Sequence, residues 1–425
     1  MNQFNLCKLY DINEQTASAI AEAEYCLDQP FRRIDHIKEY NHLKIIKAMQ
    51  DSRLNYTNFY WNTGYGYNDP GREKVEEVYS RVFGTEDALV RPNIVSGTHA
   101  LYLTLSGITQ YGDSILSISG KPYDTLLTVI GTQGDEPNNL ISQGIVYREV
   151  DLIDAEDFDV KEIKKNIDPT TKVVMIQRST GYSHRKAITI NKIESVIKTI
   201  KSEYPDIIIM VDNCYGEFIE TMEPSNVGAD LTVGSLIKNP GGGIALTGGY
   251  ICGKSTLIHQ IANRLTAPGI GKEVGLTFGQ TRNTLQGLYL APSVVSESLK
   301  GAMLIAHVFN GLGYQVVPSI DDERSDIIQS IIFHSRERLI KFCQSIQKSS
   351  PVDAHVVPEA WPMPGYTDDV IMASGAFIQG SSIEISADAP IREPYTAFYQ
   401  GGLTYAQCKL ATAIAYETIL SEHSK

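Results

Sequence analysis

The chain has 425 residues, and its 50 acidic side chains outnumber 37 basic ones, which gives a formal net charge of −13. This excess of negative charge disfavours non-specific binding to nucleic acid or to anionic membranes. Hydrophobic residues make up 42% of the chain, which is typical of a globular protein with a sizeable core. Length alone allows about two or three domains.

The N-terminal sequence and the cysteines indicate the cellular compartment of the protein. The opening residues, MNQFNLCKLYDINEQTASAI, lack the basic-then-apolar order of a signal peptide, and no apolar run approaches the roughly 18 residues of a membrane helix. The six cysteines are scattered without a close pair, which argues against a disulfide framework and a zinc ribbon. No histidine pairs with a carboxylate at ligand spacing. We therefore expect a cytoplasmic protein with no metal site and no membrane or nucleic-acid partner.

The first elements in chain order are helical. Apolar spacing predicts helices within residues 11–50, and an aromatic, glycine-rich stretch follows, YTNFYWNTGYGYNDPGR. The next predicted helix, EKVEEVYSRVFG, ends at Gly84, since glycine commonly terminates helices. We expect residues 1–60 to form an N-terminal helical segment.

Beyond Gly84, short apolar runs alternate with helical patterns such as THALYLTLSGI and INKIESVIKTIKSEY. The strand candidates are, in order, ALVRPNIV, SILSIS, GIVYREV, KVVMIQ, IIIMVD and LTVGS. This alternation is typical of an α/β fold with a mostly parallel sheet covered on both faces. We expect a large domain over residues 61–312 and a small C-terminal α/β domain over residues 313–425, on which N-terminal residues are candidates to pack.

Two stretches of the large domain suit a charged ligand. In IVSGTHALYLTL, a strand meets a helix at Ser96, Gly97 and Thr98, where amides, hydroxyls and the helix dipole favour a phosphate; a simple helix cap is the alternative. Asp212 ends the strand IIIMVD. Ligands of open parallel sheets lie at this end of the strands, and a buried carboxylate needs a partner. Loop capping or magnesium binding is the alternative for Asp212.

A third stretch, GSLIKNPGGG, holds Lys238 among small residues, shortly after Ser235. Reduced hydration lowers the pKa of such an amine and makes it a nucleophile toward aldehydes; a surface lysine in a flexible loop is the alternative. A phosphate cradle, a buried carboxylate and a hidden lysine are together the parts needed for pyridoxal 5'-phosphate. The cradle binds the phosphate, Asp212 pairs with the pyridinium nitrogen and Lys238 forms the Schiff base.

A fourth stretch, GGYICGKS at residues 248–255, satisfies the P-loop pattern of nucleotide-binding proteins. That pattern requires a loop between a strand and a helix, whereas Tyr-Ile-Cys in its middle favours a strand. We expect IALTGGYICG to form a hairpin that turns at its Gly-Gly pair, and not a phosphate-binding loop.

The motifs SGTHA, VDNCYGE and GSLIKNPGGG resemble, in order and spacing, those of the fold-type-I pyridoxal-phosphate enzymes of the cysteine/methionine metabolism group. The chain is most similar to the bacterial methionine gamma-lyase-like branch, also labelled aluminium-resistance or cystathionine beta-lyase family, through GYGYNDPGREKVEEVYSRVFG and ISADAPIREPYTAFYQGGLTY. The resemblance covers residues 55–410. It implies the aspartate aminotransferase-like fold of pyridoxal-phosphate-dependent transferases, with the site at the interface of a homodimer, often within a homotetramer.

The resemblance implies further roles for tyrosines. Tyr123 occupies the place of the aromatic residue that stacks on the cofactor ring, and Tyr123 or Tyr65 is a candidate to protonate the departing sulfur. Tyr65 and Tyr67 resemble the tyrosine–arginine pair that reaches the partner subunit's phosphate. The family's arginine is replaced here by Tyr67, and Arg72 is a candidate substitute.

The resemblance also implies substrate contacts. Arg392 resembles the C-terminal arginine that binds the substrate carboxylate, for which a guanidinium is suited; a surface ion pair is the alternative. Arg178 and Ser179 follow the strand KVVMIQ, so we expect them to contact the ring hydroxyl or the substrate. Cys214 is a candidate nucleophile beside Asp212, although a small buried residue at a strand end is more typical.

The implied function is that of a carbon–sulfur lyase acting on a sulfur amino acid of the cystathionine, cysteine or methionine type. The substrate displaces Lys238, whose freed amine takes the α-proton as general base. A thiol or thioether then leaves from the β or γ carbon, and a 2-oxo acid and ammonia result. Two alternatives stay open: another reaction of the same cofactor (aminotransferase, aldolase or racemase), and a catalytically silent member that binds the cofactor and acts through a partner.

Overall fold

The structure is a computed structural model that describes residues 3–363, 366 and 368–423. Within these residues, no helix is both long and apolar enough to cross a membrane. The α-helices of this part of the chain are α1 (Gln3–Tyr10), α2 (Glu14–Cys26), α3 (Asp28–Asp51), α4 (Pro70–Phe83), α5 (Gly97–Ile108), α6 (Asp124–Ile130), α7 (Val160–Asn166), α8 (Ile190–Glu203), α9 (Ser255–Leu265), α10 (Thr281–Gly311), α11 (Arg336–Lys348) and α12 (Tyr405–His423).

The strands form one large sheet, one smaller sheet and a short ribbon. They are β1 (Asp87–Arg91), β2 (Ser114–Ser117), β3 (Val146–Glu149), β4 (Leu152–Ile153), β5 (Asp157–Phe158), β6 (Thr171–Gln177), β7 (Ile208–Asp212), β8 (Leu231–Ser235), β9 (Gly249–Gly253), β10 (Gln315–Val317), β11 (Gln329–Ile332), β12 (Val370–Ser374), β13 (Ser386–Pro390) and β14 (Thr396–Gln400).

Contacts between residues divide the chain into two compact units. The large unit is Tyr40–Ala291, and the small unit combines Met1–Glu39 with Pro292–Lys425. This division differs from the predicted boundaries after residues 60 and 312. The N-terminal helices pack on C-terminal residues, as in the 2.6 Å ion pair between Lys409 and Glu24, and the second boundary falls inside α10.

The large unit contains the seven-stranded sheet, in the order β1-β9-β8-β7-β6-β2-β3. Its strands are parallel except β9, which is antiparallel to both neighbours. Successive residues of β6 point to opposite faces, so Val173 and Met175 belong to one buried cluster while Val174 and Ile176 belong to another. The prediction of a mostly parallel sheet covered on both faces is confirmed.

Helix α4 ends as its sequence predicts. The Asp69 side chain accepts hydrogen bonds from the N–H groups of Gly71 and Arg72, and proline occupies the first position of the helix. Gly84 follows the last helical residue with φ at 65°, a left-handed conformation that glycine adopts without a clash.

The P-loop-like stretch lies mostly in a strand, because β9 covers Gly249–Gly253. The strand predicted for Tyr-Ile-Cys is confirmed, and an extended strand at this position cannot surround a phosphate. The predicted hairpin is wrong, because its first strand, IALT, does not pair with β9. Strand β9 pairs with β8, with Ser235 opposite Gly249, and not with the preceding residues IALT. The Lys254 ammonium pairs with Asp230 at 2.6 Å.

The small unit is built on an antiparallel sheet in the order β10-β11-β14-β13-β12. Its core combines residues of α2, α11 and α12 with inward-facing strand residues such as Ile371 and Ala387. Ring contacts support this core, with Phe309 meeting Phe342 edge to face at 5.3 Å.

Candidate active site

The first part of the site is the start of α5. The Ser96 hydroxyl accepts the N–H of His99 at 3.0 Å, and the Ser96 carbonyl accepts that of Ala100. The amides of Gly97 and Thr98 come earlier in the first turn, where a helix offers no carbonyl partner. A Cβ on Gly97 would lie 3.3 Å from Cβ of Ser235, so the start of α5 packs directly against the end of β8.

Tyr123 joins this helix start to the sheet. Its hydroxyl lies 2.7 Å from Oγ1 of Thr98, and its backbone N–H donates to Gln177 Oε1 at 2.9 Å. Burial, followed by the charge of Asp212, raises the pKa of Tyr123 well above its ordinary value. The phenol therefore keeps its proton at neutral pH and is available as a hydrogen-bond donor.

Asp212 ends β7 with only 4% of its surface exposed. The N–H of Cys214 donates to Asp212 Oδ1 at 3.1 Å. Burial raises the pKa of Asp212, although the charge of Lys238, the Cys214 hydrogen bonds and the charge of Arg185 oppose that rise. A carboxylate desolvated to this degree is stabilised by a cationic partner, which a protonated ring nitrogen would supply.

Lys238 follows β8, and its Nζ lies 4.0 Å from the centroid of the Tyr215 ring. Burial is the largest single influence and lowers the pKa of Lys238, but Cys214, Tyr215 and Asp212 together raise it well above its ordinary value. The lowered pKa expected from reduced hydration is therefore wrong for this chain. Of these groups Asp212 is the carboxylate, and its negative charge favours the ammonium form of Lys238.

The glycines after Lys238 bring the backbone close to α10. A Cβ on Gly241 would lie 1.8 Å from the Leu236 carbonyl oxygen, and one on Gly287 would lie 2.3 Å from the carbonyl oxygen of Gly241. Real Cβ atoms do not approach so closely, so larger residues are excluded at both positions. The tight contact holds the loop that carries Lys238 against the helix.

These groups fit pyridoxal phosphate. The start of α5 suits the phosphate, the buried carboxylate of Asp212 suits the ring nitrogen, and the amine of Lys238 suits the aldehyde carbon. The structure brings most of the predicted site residues together around the ends of β7 and β8. The predicted residues gathered there are Ser96, Gly97, Thr98, Tyr123, Asp212, Ser235 and Lys238.

Arg178 has a different role from the predicted one. Its side chain is fully buried, and its guanidinium donates to Asn213 Oδ1, the Gly216 carbonyl and Glu220 Oε1 at 2.8–2.9 Å. This contradicts the predicted ring or substrate contact, because the guanidinium binds the loop that follows Asp212 and presents no exposed surface. Ser179 is also buried, and its carbonyl accepts Nε2 of Gln177 at 3.2 Å; a cofactor contact of its hydroxyl stays a prediction.

The tyrosines of the aromatic stretch lie on the surface of the large unit. Tyr65 is 74% exposed and Tyr67 is 60% exposed, with 5.7 Å between their ring centroids. Arg72 is 2% exposed, and its guanidinium donates to the carbonyls of Gly66, Gly275 and Glu273 at 2.6–3.2 Å. This argues against Arg72 as the substitute for the family's phosphate-binding arginine, because its hydrogen bonds hold two segments of its own chain.

Arg392 belongs to the small unit and is exposed. Its Nη1 pairs with Asp368 Oδ2 at 3.0 Å. Arg392 therefore forms a surface ion pair, which was the predicted alternative to a substrate contact, and its partner is Asp368. The substrate contact of Arg392 stays a prediction.

The sequence reasoning missed three buried groups that lie close to Asp212 or Lys238. Gln177 ends β6 directly opposite Asp212 in the sheet register, so the rule that located Asp212 applies equally to it. The charge of Arg185 lowers the pKa of Asp212, but no local pattern marks this arginine. Glu217 has no exposed surface, and burial raises its pKa to about 8.

The structure also bears on the candidate nucleophile and on metal binding. Cys214 is buried, and burial raises the pKa of its thiol well above the ordinary value. The neutral thiol is a poor nucleophile, so the packing role is favoured. Among the described residues, no group of three or more His, Cys, Asp or Glu side chains is arranged to hold a metal ion.

Comparisons with known proteins agree with this geometry. A family model described as methionine gamma-lyase matches residues 16–420. The chain is 48% identical to a crystal structure from Clostridium novyi NT named as a carbon–sulfur lyase involved in aluminium resistance, with a TM-score of 0.94 and 98% of each chain covered. It is 47% identical to the uncharacterised protein YnbB of Bacillus subtilis, over 92% of this chain and 93% of that one.

A more distant structure shares the fold. The pyridoxal-5'-phosphate-dependent protein YhfS of Escherichia coli is 16% identical, with a TM-score of 0.61 and coverage of 91% of this chain and 97% of that one. At this identity the similarity is evidence for the fold alone. Together with the parallel sheet, it confirms the predicted fold class.

Proposed function

The chain belongs to the methionine gamma-lyase family and is a pyridoxal-phosphate-dependent carbon–sulfur lyase, and on that premise we propose that it catalyses elimination from a sulfur amino acid with Lys238 as the base. The observation that carries this proposal is the convergence of the Lys238 amine, the Asp212 carboxylate and the start of α5. We propose cystathionine, cysteine or methionine as the type of substrate.

Each of the chain's own groups has one task in this proposal. The amides of Gly97 and Thr98 and the hydroxyl of Ser96 bind phosphate. Asp212 keeps the ring nitrogen protonated, since a buried carboxylate favours a cation beside it. Lys238 holds the aldehyde until substrate arrives and then takes the α-proton. When bound, pyridoxal phosphate withdraws electrons from the α-carbon of the substrate.

Tyr123 is the better supported of the two candidate donors to the departing sulfur. The support is its position, because its hydroxyl lies 2.7 Å from Oγ1 of Thr98 at the phosphate site. Tyr65 is exposed on the same unit. We propose that Tyr65 and Tyr67 act instead at the site of a second copy of the chain, which requires a homodimer or a homotetramer.

Turnover of a panel of L-cystathionine, L-cysteine and L-methionine by the purified protein tests the function. We expect 2-oxo acid and ammonia in equal amounts without an amino acceptor. Asp212→Asn keeps the side-chain shape but removes the charge, and we expect kcat/KM to fall by about 100-fold or more. Product that appears only with a 2-oxo acid acceptor would indicate an aminotransferase. Bound cofactor without turnover of any amino acid would indicate a silent member that acts through a partner.

Cytoplasmic location is also part of the proposal, supported by the acidic composition and by six cysteines that are all free. A link to aluminium resistance rests only on the names of similar crystal structures, such as that from Clostridium novyi NT. Growth of a strain lacking this protein, with and without aluminium, would test that link independently of the lyase assay.

A further inference from the structure

The loop between Asp212 and Phe218 has an unusual backbone. Tyr215 has φ at 69° and Phe218 has φ at 63°, a left-handed conformation that costs free energy for any residue with a Cβ atom. Such conformations persist only where the surrounding structure enforces them, and they occur preferentially at functional sites. The strain therefore raises the question of what the position of Tyr215 achieves.

Hydrogen bonds hold this loop on both sides of Tyr215. Before it, the N–H of Asn213 donates to Val233 on the neighbouring strand at 2.9 Å. After it, the Gly216 carbonyl accepts Arg178 Nη1 at 2.9 Å, and Glu217 contributes a carbonyl that accepts Nδ2 of Asn239 at 3.1 Å. Asn239 is the residue next to Lys238, so the loop and the lysine are held in register with each other.

The consequence of this backbone is that the Tyr215 ring lies under the Lys238 amine. Nζ is 4.0 Å from the ring centroid, well inside the roughly 6 Å range of a cation–π contact. The Tyr215 ring and the Lys238 side chain are both half-buried. Besides burial, which is the largest influence on the pKa of the amine, the titratable groups that act on it are Cys214, Tyr215, Asp212 and Tyr123, in decreasing order of effect. The neighbouring Glu217 carboxyl is in turn affected by the charge of Lys238.

We propose that Tyr215 is a positioning residue for Lys238, whose ring face holds the ammonium formed when the amine takes the α-proton. This rests on the function proposed above. In that step the C–H bond of the substrate α-carbon breaks, its electron pair stays with the substrate, and an N–H bond forms on Nζ. The ring stabilises the charged product and keeps it beside the carbon from which the proton came. Neutral amine gains much less from the ring, so the contact favours proton uptake.

The test compares two variants of the purified protein after any bound cofactor has been removed, so that the Lys238 amine is free. Tyr215→Phe keeps the ring face, while Tyr215→Asn removes it and tolerates the left-handed backbone. The pH profile of Lys238 labelling by trinitrobenzenesulfonate, read by peptide mapping, reports the affinity of the amine for its proton. We expect the Tyr215→Asn profile to shift to lower pH by roughly one unit, so that labelling at a fixed pH is about tenfold faster. Tyr215→Phe keeps the ring face and loses only the phenol group, so its profile should lie closer to that of the wild type than to that of Tyr215→Asn.

The exposed lysine Lys161 provides an internal control, because its labelling should be the same in all variants. If Tyr215→Asn does not fold, Tyr215→Gly replaces it, since glycine adopts positive φ without strain. An unchanged Lys238 profile in the ring-less variant would overturn the proposal.

A second readout connects the contact to the reaction. Exchange of the substrate α-proton in D2O should show a lower kcat in Tyr215→Asn, with KM little changed, and recovery in Tyr215→Phe. Equal exchange rates in all three proteins would contradict the positioning role. The labelling result does not depend on the cofactor, so failure of the lyase function and failure of this inference are distinguishable.

Discussion

Glu217 is a carboxyl group without exposed surface, and its backbone carbonyl accepts a hydrogen bond from Asn239, the residue after Lys238. The Tyr250 hydroxyl donates to Oε1 at 2.7 Å, and among the described residues Oε2 has no hydrogen-bond partner. Burial raises the pKa of Glu217 to about 8, so the group is mostly neutral at pH 7. A neutral acid avoids placing a second negative charge close to that of Glu223.

The raised pKa predicts a pH dependence of stability. The folded protein holds the Glu217 proton up to a pKa of about 8, whereas the ordinary value is 4.5. The contribution of this group to stability is therefore complete below about pH 4.5 and is lost as the pH rises toward 8. Glu217→Gln is neutral throughout. Relative to wild type, we expect its free energy of unfolding to improve by about 2–3 kcal/mol between about pH 5.5 and pH 8.

Urea denaturation at both pH values, without cofactor, measures this difference. Equal changes in the wild type and in Glu217→Gln would mean that Glu217 does not titrate in this range. Tyr250→Phe is an informative companion, because loss of the hydroxyl hydrogen bond should raise the pKa of Glu217 further.

At the scale of secondary-structure elements, the position of the loop that carries Lys238 depends on the contact of this loop with α10. Gly287 lies inside that helix, where alanine is normally favoured by about 1 kcal/mol. Here an alanine Cβ would lie 2.3 Å from the Gly241 carbonyl oxygen, and the clash outweighs the helix propensity.

We therefore expect Gly287→Ala to destabilise the protein by about 1–3 kcal/mol and to weaken cofactor retention, because the loop that carries Lys238 must move. Gly311 at the end of the same helix is the matched control, since no described heavy atom lies within 4 Å of the position that a Cβ atom would take there. Gly311→Ala should change stability by less than about 0.5 kcal/mol. Thermal unfolding of both variants gives the comparison, and equal midpoints would contradict the clash.

Elements that follow from local pattern were predictable from the sequence, and so were residues at the ends of strands. Asp212 and Lys238 stand out because a strand end and a run of glycines are visible in the chain itself. The contacts of Arg178 were not predictable, since its partner Glu220 lies in a later loop whose path depends on tertiary packing. The partner of β9 was missed for the same reason: strand pairing depends on the whole sheet, and a Gly-Gly pair alone does not determine it.

At the scale of the whole molecule, aromatic residues concentrate on one exposed segment, residues 56–67 of the large unit. Five of its aromatic side chains are more than half exposed, namely Tyr56, Tyr60, Trp61, Tyr65 and Tyr67. Exposed aromatic patches are typical of protein interfaces. The segment therefore supports the proposed association of two copies.

We expect the wild-type protein to sediment as a dimer or a tetramer, and the double variant Tyr65→Ser/Tyr67→Ser to dissociate at least about tenfold more readily. Tyr111→Ser is the matched control, because Tyr111 is 88% exposed outside this segment and should leave assembly unchanged. Sedimentation velocity over a range of concentrations measures all three proteins. A monomeric wild type would contradict the proposed role of Tyr65 and Tyr67 at a second copy's site.

Borohydride reduction of the purified protein, followed by peptide mapping, is the most direct test of the site. We predict a visible absorption band that disappears on reduction and a pyridoxyl group on the peptide that contains Lys238. Lys238→Ala should bind no reducible cofactor. A pyridoxyl group on another lysine would contradict the assignment of the site, and a protein that gains no band with added pyridoxal phosphate would contradict the cofactor itself.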